Sequence, residues 1–226
     1  MNQHTIDLVN KQGLQFFGSV NASISHELKN IFAIISETAG FLNDLTQLSK
    51  QGKKFELSVL ENCSSSIAEE IERGFDTIRQ MNQFAHSVDD PVTETSIADT
   101  LTLAVKLTGF LSYAKKTQIE TSALDISVFT SPFLLQNLIY RTLCAIYKSV
   151  DAKDTLNISF HEKNPDTVFL TFSWGSPCAL TDFPDRHTTE VAEALGAVIS
   201  ISDTSLDLTV TRAADSLSAA LTDGKP

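Results

Sequence analysis

The chain has 226 residues, of which 42% are hydrophobic, and it carries a formal net charge of -11. This composition predicts a folded core and argues against nucleic acid or an anionic membrane as a partner, since both bind basic surfaces. No apolar run is long enough to span a membrane, and the N-terminus lacks the pattern of a signal peptide. Cys63, Cys144 and Cys178 are far apart and belong to no Cys/His cluster. They therefore predict reduced thiols in a cytoplasmic protein without a disulfide framework or zinc site.

The first part of the chain has a helical pattern. Apolar residues recur at three- and four-residue steps from Phe17 to Leu45, and again from Leu57 to Met81. Between them, L-S-K-Q-G-K-K interrupts the pattern around Gly52. Spacing of this kind predicts two long helices joined by a tight turn, each with one apolar face.

Two helices alone cannot bury both flanks of such an apolar face. One solution is a homodimer in which two hairpins form a four-helix bundle. The alternative is packing against the second half of the same chain. The dimer is favoured because the second half has an apolar pattern of its own.

The second part mixes helical and strand patterns. Ser87 to Ser96 is polar, contains Pro91 and predicts a linker. Ser131 and Pro132 predict a capped helix start. The other predictions are helices at 97–116, 131–150 and 188–195, and strands at 119–129, 156–161, 168–173, 198–202 and 206–211. This order predicts an α+β fold with helices on one face of a sheet.

The stretch S-I-S-H-E-L-K-N, from Ser23 to Asn30, contains the most informative histidine. A zinc protease motif places its second histidine four residues after the first, but Asn30 occupies that position after His26. The zinc interpretation is therefore excluded. His26 lies off the apolar face formed by Ile24, Leu28 and Ile31, so it is expected to face solvent.

His26 also belongs to a row of small and polar residues. Gly18, Ala22, His26 and Asn30 are spaced by four, and Ser23 lies beside them. Small side chains here leave room for a partner to reach the imidazole. An ordinary solvent-facing histidine remains the alternative on position alone.

The string S-H-E-L-K-N, from Ser25 to Asn30, resembles the phosphoacceptor box of two-component histidine kinases and of phosphotransferases derived from them. The resemblance covers roughly residues 12–212. It implies a dimeric hairpin followed by an α/β sandwich of the histidine-kinase ATPase type. The domains expected are a dimerisation and phosphoacceptor hairpin at 1–86, a linker at 87–96, a degenerate ATPase-like domain at 97–213 and a frayed tail at 214–226.

The resemblance also implies roles at the box. Glu27 would be the base that accepts the imidazole proton, and Asn30 would orient a water for hydrolysis of a partner's acyl phosphate. Lys29 would contact phosphate oxygens, with a solvated lysine as the alternative. Gly18, Ala22 and Ser23 would form the partner surface with Lys29, together with residues of the second helix such as Ser65, Ser66, Glu69 and Arg73.

The family's nucleotide site is degenerate here. L-L-Q-N-L-I-Y-R resembles the magnesium-binding helix, but Arg141 replaces the asparagine ligand, and arginine cannot ligate magnesium. In the adenine-reading segment Ser173 replaces an aspartate, Gly175 is kept and Pro177 replaces a glycine. The glycine-rich lid is absent. ATP binding is therefore not expected, and Arg141 is expected to pair with Asp151 or Asp154.

These observations predict a histidine phosphotransferase that relays phosphoryl groups between receiver-domain aspartates through His26. The response-regulator receiver would supply Mg²⁺, so the chain would need no cofactor of its own. A sensor kinase is a further possible partner. The alternatives are a non-catalytic pseudokinase that binds a regulator or kinase, and a receiver phosphatase that uses Asn30. An ATP-dependent histidine kinase is disfavoured by the degenerate site.

Overall fold

The computed structural model describes residues 3–109, 116–120, 126–164 and 166–211. Its helices are α1 (Gln3–Lys50), α2 (Leu57–Ala85), α3 (Ile97–Leu107), α4 (Pro132–Ser149) and α5 (Arg186–Leu195). Its strands are β1 (Thr93–Ser96), β2 (Lys116–Ile119), β3 (Ser127–Thr130), β4 (Thr155–Asn164), β5 (Thr167–Ser173), β6 (Val198–Ile201) and β7 (Ser205–Thr211). The prediction of an α+β fold is confirmed.

The chain divides into two compact units, one of Ser19–Asn82 and one of Met1–Gly18 with Gln83–Pro226. The first, here called the hairpin unit, contains most of α1 and α2. The second, here called the sheet unit, contains the remaining elements and the first turns of α1. The predicted domain boundaries stay predictions. The predicted frayed tail, 214–226, lies outside the described residues.

The hairpin unit follows the predicted helical spacing on α1, whereas most of the predicted apolar face of α2 is exposed, namely Leu57, Ile71, Phe75, Ile78 and Met81. Val20, Ile24 and Ile31 of α1 are buried, as are Cys63 and Thr77 of α2. The connection has Gly52 at φ 82°, a left-handed conformation that glycine adopts without steric cost. The predicted break between two long helices is therefore confirmed.

The sheet unit is built on five strands in the order β2-β4-β5-β7-β6. Only the β2–β4 pair among the described strands is parallel; the other pairs are antiparallel. Val168, Leu170 and Phe172 of β5 are buried while the residues between them are half-buried, so one face of the sheet carries the core. Residues of α3, α4 and α5 join that core, which confirms the prediction of helices on one face.

The predicted linker is more ordered than expected. A 3₁₀ turn spans His86–Val88, and β1 then pairs antiparallel with β3 from Thr93–Thr130 to Ser96–Ser127. Polar composition and Pro91 predicted a break, but a short strand gains its backbone hydrogen bonds from a partner distant in sequence, which local composition does not reveal.

The boundaries of other helices and strands also differ from the predicted ones. The helix predicted at 97–116 ends at Leu107, and Ser131 caps α4 without a side-chain hydrogen bond to the helix. The strand predicted at 119–129 is described only as β3 and the end of β2, and residues 121–125 lie outside the described residues. The last strand pair and the β4–β5 hairpin occur where the alternation placed them.

An aromatic cluster completes the sheet unit. Phe16 packs against Phe84, Phe133 and Tyr140, with ring centroids 5.1 to 5.5 Å apart. Gln12 is buried one turn earlier and donates from Nε2 to Glu190 of α5 at 2.6 Å. Gln12 and Phe16 of α1 are thus packed inside this unit.

Candidate functional site

The string S-H-E-L-K-N, from Ser25 to Asn30, lies in the hairpin unit. Ile24 and Ile31 are buried while His26 is exposed, because the helical period places the histidine off the apolar face. Ala22 and Asn30 are also exposed. The imidazole is therefore accessible to a partner.

The remaining predicted partner residues vary in exposure. On α1, Lys29 is exposed and Ser23 is half-buried; Gly18, which belongs to the sheet unit, is exposed. On α2, Ser65 and Glu69 are exposed, whereas Ser66 and Arg73 are half-buried.

Asn30 is the hydrogen-bonding neighbour of the imidazole. Its amide Nδ2 lies 3.3 Å from His26 Nδ1, one helical turn away. An amide nitrogen donates, so this arrangement suits a ring nitrogen that carries no proton. In the neutral ring the proton is then on Nε2. For Nε2 to act as a nucleophile, the ring must be in the other tautomer, in which Nδ1 carries the proton and faces an acceptor.

The resemblance assigns Glu27 to the imidazole proton of His26, whereas in the structure its carboxylate pairs with Arg73 of α2. Its Oε1 accepts hydrogen bonds from Arg73 Nε at 3.0 Å and from Nη2 at 2.5 Å. Arg73 also donates from Nη1 to both oxygens of Glu70, at 2.9 and 3.0 Å. The hydrogen bond to Glu27 raises the pKa of Arg73, so the guanidinium is charged throughout the accessible pH range.

Arg141 occupies the expected magnesium-ligand position on α4, in the sheet unit. Its Nε donates to Asn137 Oδ1 at 2.9 Å, and its Nη1 lies 3.8 Å from Asp185 Oδ2. The prediction that Arg141 pairs with Asp151 or Asp154 is therefore wrong. Asp154 instead accepts from the amide and hydroxyl of Ser176. A guanidinium offers only donors and a positive charge, so Arg141 cannot act as a magnesium ligand at this position.

Asp185 links this arginine to the start of α5. Its Oδ1 accepts from the backbone N–H of Thr188 at 2.7 Å and from the Thr188 hydroxyl at 2.6 Å, which caps the helix. Burial alone would raise the pKa of Asp185, but the Thr188 hydrogen bonds and the charge of Arg141 together lower it. The ionised carboxylate is therefore favoured in the folded state.

Replacing Asp185 by alanine is expected to lower the free energy of unfolding by about 1 kcal/mol at neutral pH, since a cap is lost. Because the folded-state pKa of Asp185 is lowered, the stabilisation is present above the unfolded pKa of about 4 and is lost as the pH falls through the folded value. Urea titrations at pH 7 and pH 2.5 measure both effects. Glu193→Ala, at an exposed position of α5, is the control; an equal loss in both variants would contradict the cap.

The other residues of the degenerate nucleotide site lie after β5. The Ser173 hydroxyl donates to the Asn157 carbonyl at 3.5 Å, and Gly175 and Pro177 are exposed. A side chain at Gly175 would lie 3.2 Å from Asp154 Oδ1, which accounts for a glycine there. Trp174 is buried and donates from its indole nitrogen to the Asp203 carbonyl, so it is a core residue.

Two contacts made by or near the candidate site residues were not predicted from the sequence. In the motif D-R-H-T, from Asp185 to Thr188, the aspartate is a typical N-cap residue, and α5 begins directly after it. The sequence pattern instead predicts a helix start at Thr188. The pairing of Arg73 with Glu27 joins residues 46 positions apart and has no local signal.

Within the part of the chain that the structure describes, no group of three or more His, Cys, Asp or Glu side chains is arranged to hold a metal ion. No described helix is both long and apolar enough to cross a bilayer. Cys63, Cys144 and Cys178 are free thiols, and burial raises the pKa of Cys144 to about 11. The Cys144 thiol is therefore protonated at neutral pH.

Comparison with known proteins gives only distant likenesses. No family model matches the chain, and no curated protein matches it either. Among solved structures, histidine kinase AdeS of Acinetobacter baumannii aligns at 11% identity over 82% of this chain and 97% of its own, with a TM-score of 0.46. The histidine kinase domain of the blue-light-activated kinase EL346 of Erythrobacter litoralis aligns at 10% identity over 80% and 95%, with a TM-score of 0.44. The ATP-binding domain of PrrB from Mycobacterium tuberculosis aligns at 14% identity over 55% and 100%, with a TM-score of 0.45. At these values the likenesses do not assign the chain to a family.

Proposed function

We propose that the chain is a histidine phosphotransferase of two-component signalling, with His26 as the phosphoryl carrier between receiver-domain aspartates. The observation that carries the proposal is the exposed imidazole of His26, with Glu27 next in sequence and Asn30 one turn away at 3.3 Å. A nucleophilic nitrogen, a carboxylate and an amide within one turn supply what such a transfer needs.

In the proposed reaction His26 Nε2 attacks the phosphorus of an aspartyl phosphate. The N–P bond forms as the P–O bond breaks, the aspartate leaves as a carboxylate and the Nδ1 proton passes to Glu27. The reverse reaction loads a second receiver. The receiver brings the Mg²⁺ that neutralises phosphoryl charge, so the chain itself contributes the carrier and its orientation.

ATP is not the proposed source of the phosphoryl group. Arg141, held by Asn137 and Asp185, puts a fixed positive charge where a magnesium ligand would be required. The proposed setting is the cytoplasm, with response regulators as partners and a sensor kinase as a further possible one.

A homodimeric four-helix bundle is part of the proposal. In the hairpin unit Phe32 is 64% exposed and Phe75 is 53% exposed, and Ile71 and Ile78 are exposed as well. Single hairpins rarely leave so many large apolar side chains in water. A second copy that packs its own hairpin against them would bury these residues.

The dimer predicts a concentration-dependent mass. Sedimentation equilibrium of the wild type should give about twice the chain mass of 24.7 kDa, whereas Phe75→Glu should shift it toward the monomer, because a buried charge opposes association. Lys50→Glu, at an exposed position near the end of α1, is the control. A wild-type monomer at every concentration would refute the dimer.

The central test uses two phosphoryl donors. The chain is incubated with a ³²P-labelled receiver or with [γ-³²P]ATP and Mg²⁺, and acid-labile label on the chain is measured. The proposal expects label from the receiver, passed on to a second receiver, and none from ATP. Label from ATP alone would refute it, and binding without label would favour the pseudokinase module.

A receiver phosphatase is the second candidate, because Asn30 is exposed beside His26 and its amide can orient a water. In that case dephosphorylation of the receiver would be faster with the chain present, and the gain would survive removal of His26 but not of Asn30.

A further inference from the structure

Arg73 connects the two helices of the hairpin unit at the proposed phosphoacceptor. It lies on α2, and both Nε and Nη2 donate to the same Glu27 oxygen on α1, at 3.0 and 2.5 Å. The side chains are about one third exposed, at 34% for Arg73 and 35% for Glu27. Guanidinium–carboxylate pairs with two N–H donors are among the stronger side-chain contacts.

Arg73 is itself held in place from its own helix. Glu70 is only 15% exposed in its side chain and accepts from Arg73 Nη1 through both oxygens. The guanidinium therefore uses three of its nitrogens on two carboxylates. The contact with Glu70 therefore fixes the position of the guanidinium that binds Glu27.

The contact matters because of the tautomer that His26 requires. Attack from Nε2 needs a proton on Nδ1 and an acceptor for that proton, while the present neighbour of Nδ1 is the amide nitrogen of Asn30. Glu27 is the adjacent carboxylate, but its hydrogen-bonded oxygen is engaged by Arg73. Neighbouring side chains of a helix do not face each other, so Glu27 must turn away from Arg73 to reach the Nδ1 proton.

We propose that Arg73 is a positioning residue that restrains Glu27 away from His26 and so lowers the nucleophilicity of the resting imidazole. This inference rests on the proposed function, because it assigns the control of the base at the same histidine. Arg73 acts through Glu27 and has no part in bond making itself.

The restraint can be tested without any receiver, by using phosphoramidate as a small phosphoryl donor. His26 Nε2 attacks the phosphorus, the N–P bond forms as the bond to the departing ammonia breaks, and the Nδ1 proton passes to Glu27. Intact-peptide mass spectrometry after proteolysis measures the rate at His26. The rate at exposed His161, on β4, serves as an internal reference in every variant.

Arg73→Gln is expected to raise the rate at His26 about three- to fivefold at saturating phosphoramidate with an unchanged half-saturation concentration, since an ion pair that is about one third exposed restrains a carboxylate only modestly. Arg73→Lys, which keeps the charge but loses the fork of donors, should restore most of the restraint. Arg79→Gln removes another α2 arginine, which pairs with Asp76 on its own helix, and should leave the rate unchanged.

The double variant decides whether Arg73 acts through Glu27. In a Glu27→Gln background, Arg73→Gln should give no further gain, because the proton acceptor is already gone. The inference is overturned if Arg73→Gln leaves the rate unchanged or lowers it, or if the gain persists in the Glu27→Gln background. Failure of the proposed function would instead appear as absence of label from a phosphorylated receiver, in a separate assay. Circular dichroism melting curves of each variant confirm that the helices remain folded.

Discussion

Replacing His26 by alanine is expected to abolish transfer of label from a phosphorylated receiver, with a loss of at least about a thousandfold in rate. The reason is chemical, because His26 is the proposed carrier and alanine offers no nitrogen to form the N–P bond. Because His26 is exposed, the substitution should not impair folding, and the melting temperature of His26→Ala should equal that of the wild type. Single-turnover transfer followed by autoradiography measures the rate.

Two other exposed histidines provide matched controls for this loss. His86→Ala and His161→Ala remove imidazoles that lie outside the phosphoacceptor box, and both variants should transfer label at the wild-type rate. Acid-labile label that persists in His26→Ala would refute the assignment of the carrier. Faster receiver dephosphorylation by His26→Ala, lost in Asn30→Ala, would favour the phosphatase instead.

Phe84→Ala is expected to have the largest effect on stability, a loss of about 3–5 kcal/mol in the free energy of unfolding of the sheet unit. Phe84 is fully buried, and its ring lies 5.3 Å from that of Phe16, 5.4 Å from Phe17 and 6.2 Å from Phe133. Truncation to alanine removes the ring and leaves a cavity between α1, α2 and α4. Urea denaturation followed by far-ultraviolet circular dichroism measures the loss.

Phe129→Ala is the matched control, because the same truncation at a ring that is 38% exposed leaves little cavity and should cost less than about 1.5 kcal/mol. Phe84→Leu should fall between the two, since most of the volume is retained. Equal losses for Phe84→Ala and Phe129→Ala would show that the aromatic cluster contributes little to the stability of this unit.

Much of the fold could be predicted from local patterns. The α1–α2 hairpin, α4 and the β4–β5 pair have strong periods of 3.6 or 2, and these indicate the type of element. They also indicate the buried face in α1, α4 and the strands, whereas the apolar face of α2 is largely exposed. The β1–β3 pair escaped prediction because its pairing joins segments more than thirty residues apart, and such pairing leaves little trace in four polar residues.

The exposure of the candidate site residues could be predicted from the sequence, but their contacts could not. The exposure of His26 follows from helical spacing alone. In contrast, the partner of Glu27 is Arg73 and the partner of Arg141 is Asp185, and both pairs depend on how distant elements approach each other. Charge and residue type indicate that a carboxylate will find a cation, but several candidates exist, and only packing selects one of them.

The sheet unit combines two segments that are distant in sequence, and this has a consequence for folding during synthesis on the ribosome. Phe16 reaches two of its ring partners, Phe133 and Tyr140, only after more than one hundred further residues have been made. The hairpin unit, in contrast, is continuous from Ser19 to Asn82 and can form its contacts early. The nascent chain is therefore expected to form the helical pair first, while the Phe16 ring stays partly unpaired until α4 has been made.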